Sequence, residues 1–553
     1  MGGAILSLIV LVVLPLVSLL IGSVRGDGGL SLEHFSEVAT GRLYRVALYN
    51  SLVLGAWTGL FSLLIGVVLA WAVSRTDVPG KALIQVTASL SYLSPPFLTA
   101  IAFVYLFSPQ AGLINVLMRD VLGLPWLTFN MFSMPGLVLV TTLHTFPFVY
   151  LLASSALQSV DASYEEAAQI LGASKLRTAF SVTAPLVAPA ILSGTLLAFV
   201  NGIALFGSQA IIGLPATPRI YTLPTRIYAL FDYPAEYGLA SALSLVFVII
   251  TVVALYLQRA FLARRSFVTV AGKGARPQLM SLGGWRWVLF GIVVVAFIVA
   301  IVAPYLTLIA VSFSKSWGLS FWKGLTLANY HFILFEYNAT QRAIFNSLLL
   351  AIIAATLAVL LGAVIGWIDL RTRIPGRKLL DYAALIPLGL PGIVVAVALI
   401  QFWLAMPLAL YGTLAILLLA YVGRYIPLGV RAANTSLRQI DPSLEESAQI
   451  LGASWLTTMR EVTLPLIRPG LFAGWLLVFV PVIQELSASI LLFSSSSITL
   501  AVAVYNLYET GAVERVGALA MVNMVIIGGA IMLANKLGGG SIMKTNSGRG
   551  VAA

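Results

Sequence analysis

A ten-residue string occurs twice in this chain, 280 positions apart, with one substitution: Glu165-Glu166-Ala167-Ala168-Gln169-Ile170-Leu171-Gly172-Ala173-Ser174 returns as Glu445-Glu446-Ser447-Ala448-Gln449-Ile450-Leu451-Gly452-Ala453-Ser454. Thr183, Pro185 and Leu186 return as Thr463, Pro465 and Leu466. Aligned without a gap, 161–200 and 441–480 agree at 23 of 40 positions. Both copies are polar and both lie between long apolar runs. Connecting loops ordinarily diverge faster than the elements they join, yet these loops are more alike than most of the apolar runs. Two copies kept alike imply two equivalent docking surfaces for a soluble partner.

The surroundings of the repeat fix its solvent. Of 553 residues, 60% are hydrophobic and 9% charged, and mean hydropathy is +0.99. No water-soluble domain hides that much apolar surface, so the chain is expected in lipid. A span needs about 20 apolar residues, and twelve candidates are read: 4–22, 47–73, 83–107, 136–157, 189–212, 237–258, 287–313, 343–368, 380–405, 412–432, 470–493 and 513–534. The first run, Ala4 to Ile21, has no basic leader and no small-x-small cleavage site, so it is expected to remain as a helix. The expected class is an all-α polytopic membrane protein of two homologous six-helix halves.

A cytoplasmic start places 75–81, 158–188, 259–286, 371–378, 433–469 and the C-terminal tail inside. With Arg431 they hold 21 of the 32 Lys and Arg, against ten outside and Arg424 within a span. That asymmetry follows the positive-inside rule, so the net charge of +12 marks cytoplasmic loops rather than a nucleic-acid partner. The absence of Cys excludes disulfides and thiolate metal sites.

The repeat reaches beyond the loop. Asn50-Ser51-Leu52 matches Asn346-Ser347-Leu348, and Arg75-Thr76-Asp77-Val78-Pro79-Gly80 matches Arg371-Thr372-Arg373-Ile374-Pro375-Gly376, here at an offset of 296. The first half therefore carries sixteen extra residues, assigned to the external loop 108–135; its counterpart around Met406 to Gly412 is very short. Six spans per half make the repeats parallel. The domains read as 1–258, a basic cytoplasmic linker 259–286, and 287–553.

Each polar copy reads as helix, glycine turn, helix. Asp161 and Asp441 are predicted N-caps, with glutamates in the first turns, where the helix dipole favours anions. Pro442 sits at the tolerated first position. Gly172 and Gly452 end the first helix, and a second short helix is expected to end at Pro185 and Pro465.

The pattern Glu-Ala-Ala, three residues, Gly, nine residues, an aliphatic residue, one residue, Pro resembles the "EAA" loop of permease subunits from binding-protein-dependent ABC importers. Glu166, Ala167, Ala168, Gly172, Val182 and Pro185 carry it in the first half; Glu446, Ser447, Ala448, Gly452, Val462, Leu464 and Pro465 carry it in the second. The resemblance covers essentially the whole chain. It implies the type I importer permease fold, with coupling helices within 161–185 and 441–465 that sit in grooves of a dimer of ATPase subunits. Glu165 and Glu445 are included in the coupling set. It also implies a soluble substrate-binding protein outside and a multi-pass place in a prokaryotic cell membrane. ATP and Mg would belong to the ATPase. Arg75 to Gly80, Gln484-Glu485-Leu486-Ser487-Ala488 and Thr499-Leu500-Ala501 look most like the ferric-ion class, with thiamine, polyamine and phosphonate permeases as relatives. Leu205-Phe206-Gly207 stands where ferric-type permeases often have Asp-Phe-Gly.

The chain itself shows no catalytic or metal-binding pattern. Ala271-Gly272-Lys273-Gly274 lacks the spacing of a phosphate-binding loop, and His34, His144 and His331 form no ligand set. Polar residues at membrane depth are candidates for a translocation pathway: Glu485, Arg424, His144, Asn201, Gln209 and Gln484. Glu485 is placed late in the eleventh span after Pro481. Arg424 and His144 stand 280 apart; Arg424 is open to binding an anion or to pairing with Glu485. A reading of another class, an ion-coupled secondary transporter, needs several intramembrane carboxylates and leaves the two polar loops unexplained.

Overall fold

In hydrocarbon every backbone polar group must be satisfied within the protein, which favours helices. The computed structural model describes residues 2–26, 29–263 and 279–537, without the side chains of 175–176, 261–263, 534–535 and 537. Of the linker, 264–278 thus lie outside the described residues. Among the described residues the only paired strands are the two-residue Arg25–Gly26 and Gly29–Leu30.

Among the described residues ten helices are long and apolar enough to cross a membrane unbroken: Gly2–Val24, Arg42–Arg75, Met134–Ser159, Ala179–Ala204, Tyr237–Ala260, Trp285–Phe313, Asn338–Arg371, Leu414–Arg438, Trp455–Ile483 and Val513–Leu533. The expected third and ninth spans are not continuous. Lys81–Leu93 meets Pro96–Phe107 at 102°, and Arg377–Gly389 meets Gly392–Leu404 at 111°. Proline supplies no N–H and pushes the residue before it out of the helical region. Ser94, before Pro95, has ψ 131°, and Leu390, before Pro391, has ψ 122°.

Two further boundaries differ from expectation. Pro185 and Pro465 do not end the helix that follows the glycine turn. That helix passes through one wide turn, Ala179–Thr183 or Met459–Thr463, and continues as the fifth or eleventh span. The N–H of Ala184 bonds the carbonyl of Ala179, and that of Leu464 bonds Met459, five residues back. The extra residue absorbs the disruption a proline ring would cause in a regular ladder. These spans also end earlier than 212 and 493, at Ala204 and Ile483. The chain breaks there and resumes in the short helices Gly207–Gly213 and Ser489–Leu492.

The described chain forms two compact units that do not coincide with the sequence halves. One comprises Met1–Phe35, Tyr233–Leu245 and Leu327–Ala553; the other comprises Ser36–Asp232 and Val246–Thr326. Each unit takes the first span of the opposite half. In one unit Gly2–Val24 packs on Gly392–Leu404, and Gly423 lies so close to the Leu11 carbonyl that a side chain would meet it at 3.0 Å. In the other, Trp285–Phe313 packs on the first bent pair, where the Tyr305 and Ser94 hydroxyls bond at 2.7 Å.

Small residues let the second and fourth spans of each half approach closely, as lipid-embedded helices require. A Cβ on Gly66 would meet Val149 at 2.7 Å, and the corresponding Gly362 lies directly on the Gly429 backbone. The repeated Asn-Ser pair holds the chain beyond the breaks. Asn50 Nδ2 donates to the Tyr221 carbonyl (2.9 Å), and Ser51 Oγ accepts from the Leu223 N–H (2.7 Å). Asn346 Nδ2 donates to the Ser496 and Ile498 carbonyls (3.1 and 2.9 Å), and Ser347 Oγ accepts from the Leu500 N–H (2.7 Å).

Candidate functional site

The two polar loops fold alike. Ala162–Ile170 begins after Asp161, whose Oδ1 accepts from the Ser163 N–H at 2.9 Å; Pro442–Ile450 begins after Asp441, which accepts from Ser443 at 3.0 Å. That amide, first among several causes, holds the Asp441 carboxyl below its ordinary pKa. Gly172 and Gly452 stand at φ +87° and +89°, with open space where a side chain would project. Only the backbone conformation demands glycine there.

The paired glutamates divide their work. Glu165 points inward: its carboxylate lies 3.4 Å from Arg75 at the end of the second span and accepts from Thr183 Oγ1 at 2.6 Å. Arg75 Nη2 also donates to the Val160 carbonyl (3.2 Å), tying down the end of the fourth span. Glu445 repeats this with Arg371 at 3.2 Å and Thr463 at 2.9 Å, while Arg371 Nη2 bonds the Leu437 and Ile440 carbonyls. Glu166, Ala167, Glu446 and Ser447 face out, and Ala168 and Ala448 are half-buried. Pro185 and Pro465 lie in the continuous helices behind the loops.

The most exposed apolar residues of these loops were not singled out from sequence. Ile170 and Leu171 are 85% and 88% exposed, and Ile450 and Leu451 are 84% and 87% exposed. Each pair precedes its turn glycine. The signal available in sequence was an aliphatic pair at the end of a polar helix, repeated in both copies. An exposed apolar pair on an otherwise polar loop marks a candidate interaction surface.

The pathway candidates divide between the two units. In one, Glu485 lies in the break after the eleventh span rather than in the span itself, and is 5% exposed. Its Oε2 accepts from Tyr425 OH (2.7 Å) and lies 3.6 Å from Arg424 Nε; its Oε1 accepts from the Ala488 N–H (2.8 Å). Ser489 Oγ donates to the Glu485 carbonyl (2.7 Å) and bonds Tyr421 OH (2.6 Å). Arg424 thus takes the pairing alternative. It passes so close over Gly392 that any side chain there would collide with it. Gln484 is adjacent and half-buried. Tyr421 and Tyr425 join the cluster without having been singled out; they lie one helical turn apart on the tenth span.

In the other unit no such cluster joins the candidates. His144, at the repeat position of Arg424, stacks on Tyr92 with ring centroids 6.5 Å apart. Asn201 Nδ2 bonds Leu197 O one turn back in its own helix (2.9 Å). Gln209 is fully buried; its Nε2 caps the end of the fifth span by donating to the Gly202 and Ile203 carbonyls, and its Oε1 accepts from Thr222 Oγ1. Among the described residues no group of three His, Asp or Glu could hold a metal ion.

The 108–135 insert is an ordered cap rather than bare loop. Asn115, 1% exposed, donates to the carbonyls of Phe107, Ser108 and Phe129 and accepts from the Phe129 N–H. Trp126 at its surface is 73% exposed.

The family described as "Binding-protein-dependent transport system inner membrane component" matches residues 62–267 and 358–534, more than half of the chain. The chain is 28% identical over 543 residues to the ferric transport system permease protein FbpB of Actinobacillus pleuropneumoniae, covering 95% of this chain and 77% of that protein. It is 32% identical over 223 residues to the molybdenum transport system permease protein ModB of Escherichia coli (strain K12), covering 40% of this chain and 93% of that protein. A solved bacterial ABC transporter involved in import of the acidic polysaccharide alginate aligns with 47% of this chain and 96% of its own, at 19% identity and TM-score 0.38.

Proposed function

Since the chain belongs to the family of inner membrane components of binding-protein-dependent transport systems, we propose that it is the translocation subunit of an ATP-driven importer whose cargo is ferric iron. In this reading a dimer of ATPase subunits docks on the helices Ala162–Ile170 and Pro442–Ile450. The observation that carries it is the pairing of inward and outward faces: Glu165 and Glu445 lock each helix to the end of a span, while Ile170-Leu171 and Ile450-Leu451 stand bare. A movement of a docked ATPase is then passed to the second and fifth spans through Arg75, Thr183 and their counterparts.

On the outer side the ordered insert, with Trp126 exposed, is the docking surface for a soluble binding protein that distinguishes the two halves. Trimming about sixteen residues from 108–135 is expected to abolish stimulation of ATP hydrolysis by the binding protein and leave basal hydrolysis intact. The cargo assignment follows the ferric permease relative, which matches nearly the whole chain. Glu485 and Tyr425 offer carboxylate and phenol oxygens at the break, and we place the gate or cargo contact there. Glu485→Gln keeps the shape and removes the charge; it is expected to lower uptake about tenfold or more, the rate cost of roughly 1.4 kcal/mol.

The test is uptake of radioactive iron into vesicles holding this chain, the ATPase and the binding protein. Uptake is expected only with ATP and binding protein together. Uptake driven by an ion gradient alone refutes the importer reading, and ATP-driven uptake of molybdate in place of iron refutes only the cargo.

A further inference from the structure

Beneath the first coupling helix is a cavity of about 580 Å3. The second, fourth and fifth spans wall it, and Leu279–Met280 closes one side. Its interior is mainly apolar, with Trp71, Leu157, Phe180 and Val187 among the lining residues; Phe180 is 72% exposed and stands at its mouth. The size falls within the range of roughly 300–1,000 Å3 typical of ligand pockets.

Two buried donors of the lining are idle. Arg75, with a side chain 5% exposed, spends Nη1 on Glu165 and Nη2 on Val160, and its Nε has no hydrogen-bond partner. Thr178 Oγ1, in a residue 2% exposed, has none either. Buried donors rarely stay unpaired, because desolvating them without a partner is costly.

The second half treats the same place differently. Arg371 gives its Nε to Glu445 at 3.3 Å. Where the first half has Lys175, Ala179 and Ala184, the second has Trp455, Met459 and Leu464. The Trp455 ring packs edge-on against Trp367, the counterpart of Trp71, at 5.4 Å. The threonine hydroxyl is idle in both halves, as Thr178 Oγ1 and as Thr458 Oγ1, but of the two arginines it is Arg75 that has an idle Nε, where alanines stand at 179 and 184.

We propose that this cavity holds one glycerolipid of the surrounding bilayer, with an acyl chain among Trp71, Leu157 and Phe180 and an ester carbonyl accepting from Arg75 Nε. A neutral acceptor fits because Glu165 already neutralises Arg75, so a second anion would meet its carboxylate. The depth fits as well: Trp71 lies one turn before the cytoplasmic end of its span, the level of the interfacial aromatic belt. The lipid becomes a wedge between the second span and the coupling helix of one half only.

The full chain, reconstituted in vesicles of phosphatidylethanolamine and phosphatidylglycerol, tests this with a trace of phosphatidylethanolamine bearing a photoreactive acyl chain. Peptides containing Trp71 and Phe180 are expected to carry the label. The double variant A179M/A184L, which copies the second half, is expected to lower that labelling at least about fivefold while labelling around the lipid-facing Leu360 is unchanged. Equal labelling of the variant and the wild type, or no label at Trp71 and Phe180 in the wild type, overturns the proposal. Native mass spectrometry of the wild type needs no variant: one retained glycerolipid per chain is expected, and a chain that sheds all lipid contradicts the site.

Discussion

Glu165 and Glu445 stand at one repeat position and make the same contacts, to an arginine ending the second span of their half and to a threonine at the wide turn. Leu205 and Glu485 also share a repeat position, beyond the fifth and eleventh spans, and have nothing in common. One is aliphatic; the other gathers Arg424, Tyr425 and the Ala488 amide. In the proposed importer the partner that couples energy is met twice, which accounts for both loops having one geometry. A solute would pass one pathway, so on that proposal the residues near it need not be symmetric, and the charged cluster occurs in the second half. The two halves are alike at the loops proposed for coupling and unlike at the break proposed for cargo contact.

That comparison can be broken at several points. The largest effect is expected from Glu165→Ala and Glu445→Ala, each of which strands a largely buried arginine. Breaking such a pair costs about 3–5 kcal/mol, and equivalence requires similar losses in the two halves when unfolding is followed in mixed micelles. A large loss in one half alone would show that the loops are not equivalent. Next come Asn50→Ala and Asn346→Ala. Each lost bond to a buried carbonyl costs roughly 1–3 kcal/mol; Asn346 serves two carbonyls and Asn50 one, so the second half should lose more. Gly172→Ala and Gly452→Ala force a left-handed backbone on a side chain, for about 1–2 kcal/mol. With matching φ and open space around both, the two costs should agree in the same unfolding assay.

The smallest effect is expected from the caps. Asp161→Ala and Asp441→Ala should each cost about 1 kcal/mol. The Asp441 carboxyl is held below its ordinary pKa, chiefly by the Ser443 amide. Its contribution is therefore present above the unfolded value near ~3.9 and is lost as pH falls toward the folded value. A thermal melt of Asp441→Ala should converge with wild type in acid; a gap that widens in acid contradicts the cap.

Much of this was legible in the sequence. The N-caps, the glycine turns, most of the spans and the longer insert of the first half follow from composition, spacing and repeat offset. The proline effects were harder. Pro95 and Pro391 bend an apolar run by more than 100°, whereas Pro185 and Pro465 are absorbed by a wide turn and end nothing. Hydropathy does not separate these outcomes, because they depend on whether neighbouring helices satisfy the freed backbone groups. The exchange of first spans between units is equally invisible, since it is set by tertiary packing. In the coupling loops the pattern named Glu166 and Glu446 with Glu165 and Glu445 as one set; only the structure separates the clamp from the exposed residues and brings Ile170-Leu171 and Ile450-Leu451 forward. Arg424 and Glu485, 61 residues apart, form the ion pair that was one of two alternatives for Arg424, while Tyr425 went unnoticed because a tyrosine in a span reads as an interfacial anchor.

The central claim is that both loops carry an ATPase through their bare aliphatic pairs. Its most direct test is co-purification of the ATPase subunits with chains bearing Leu171→Asp, Leu451→Asp or both. These side chains touch little of the chain itself, so insertion and thermal stability should stay at the wild-type level. Each single variant should weaken ATPase retention, and the double variant should lose it along with transport. A double variant that still retains two ATPase subunits and transports normally would contradict the account.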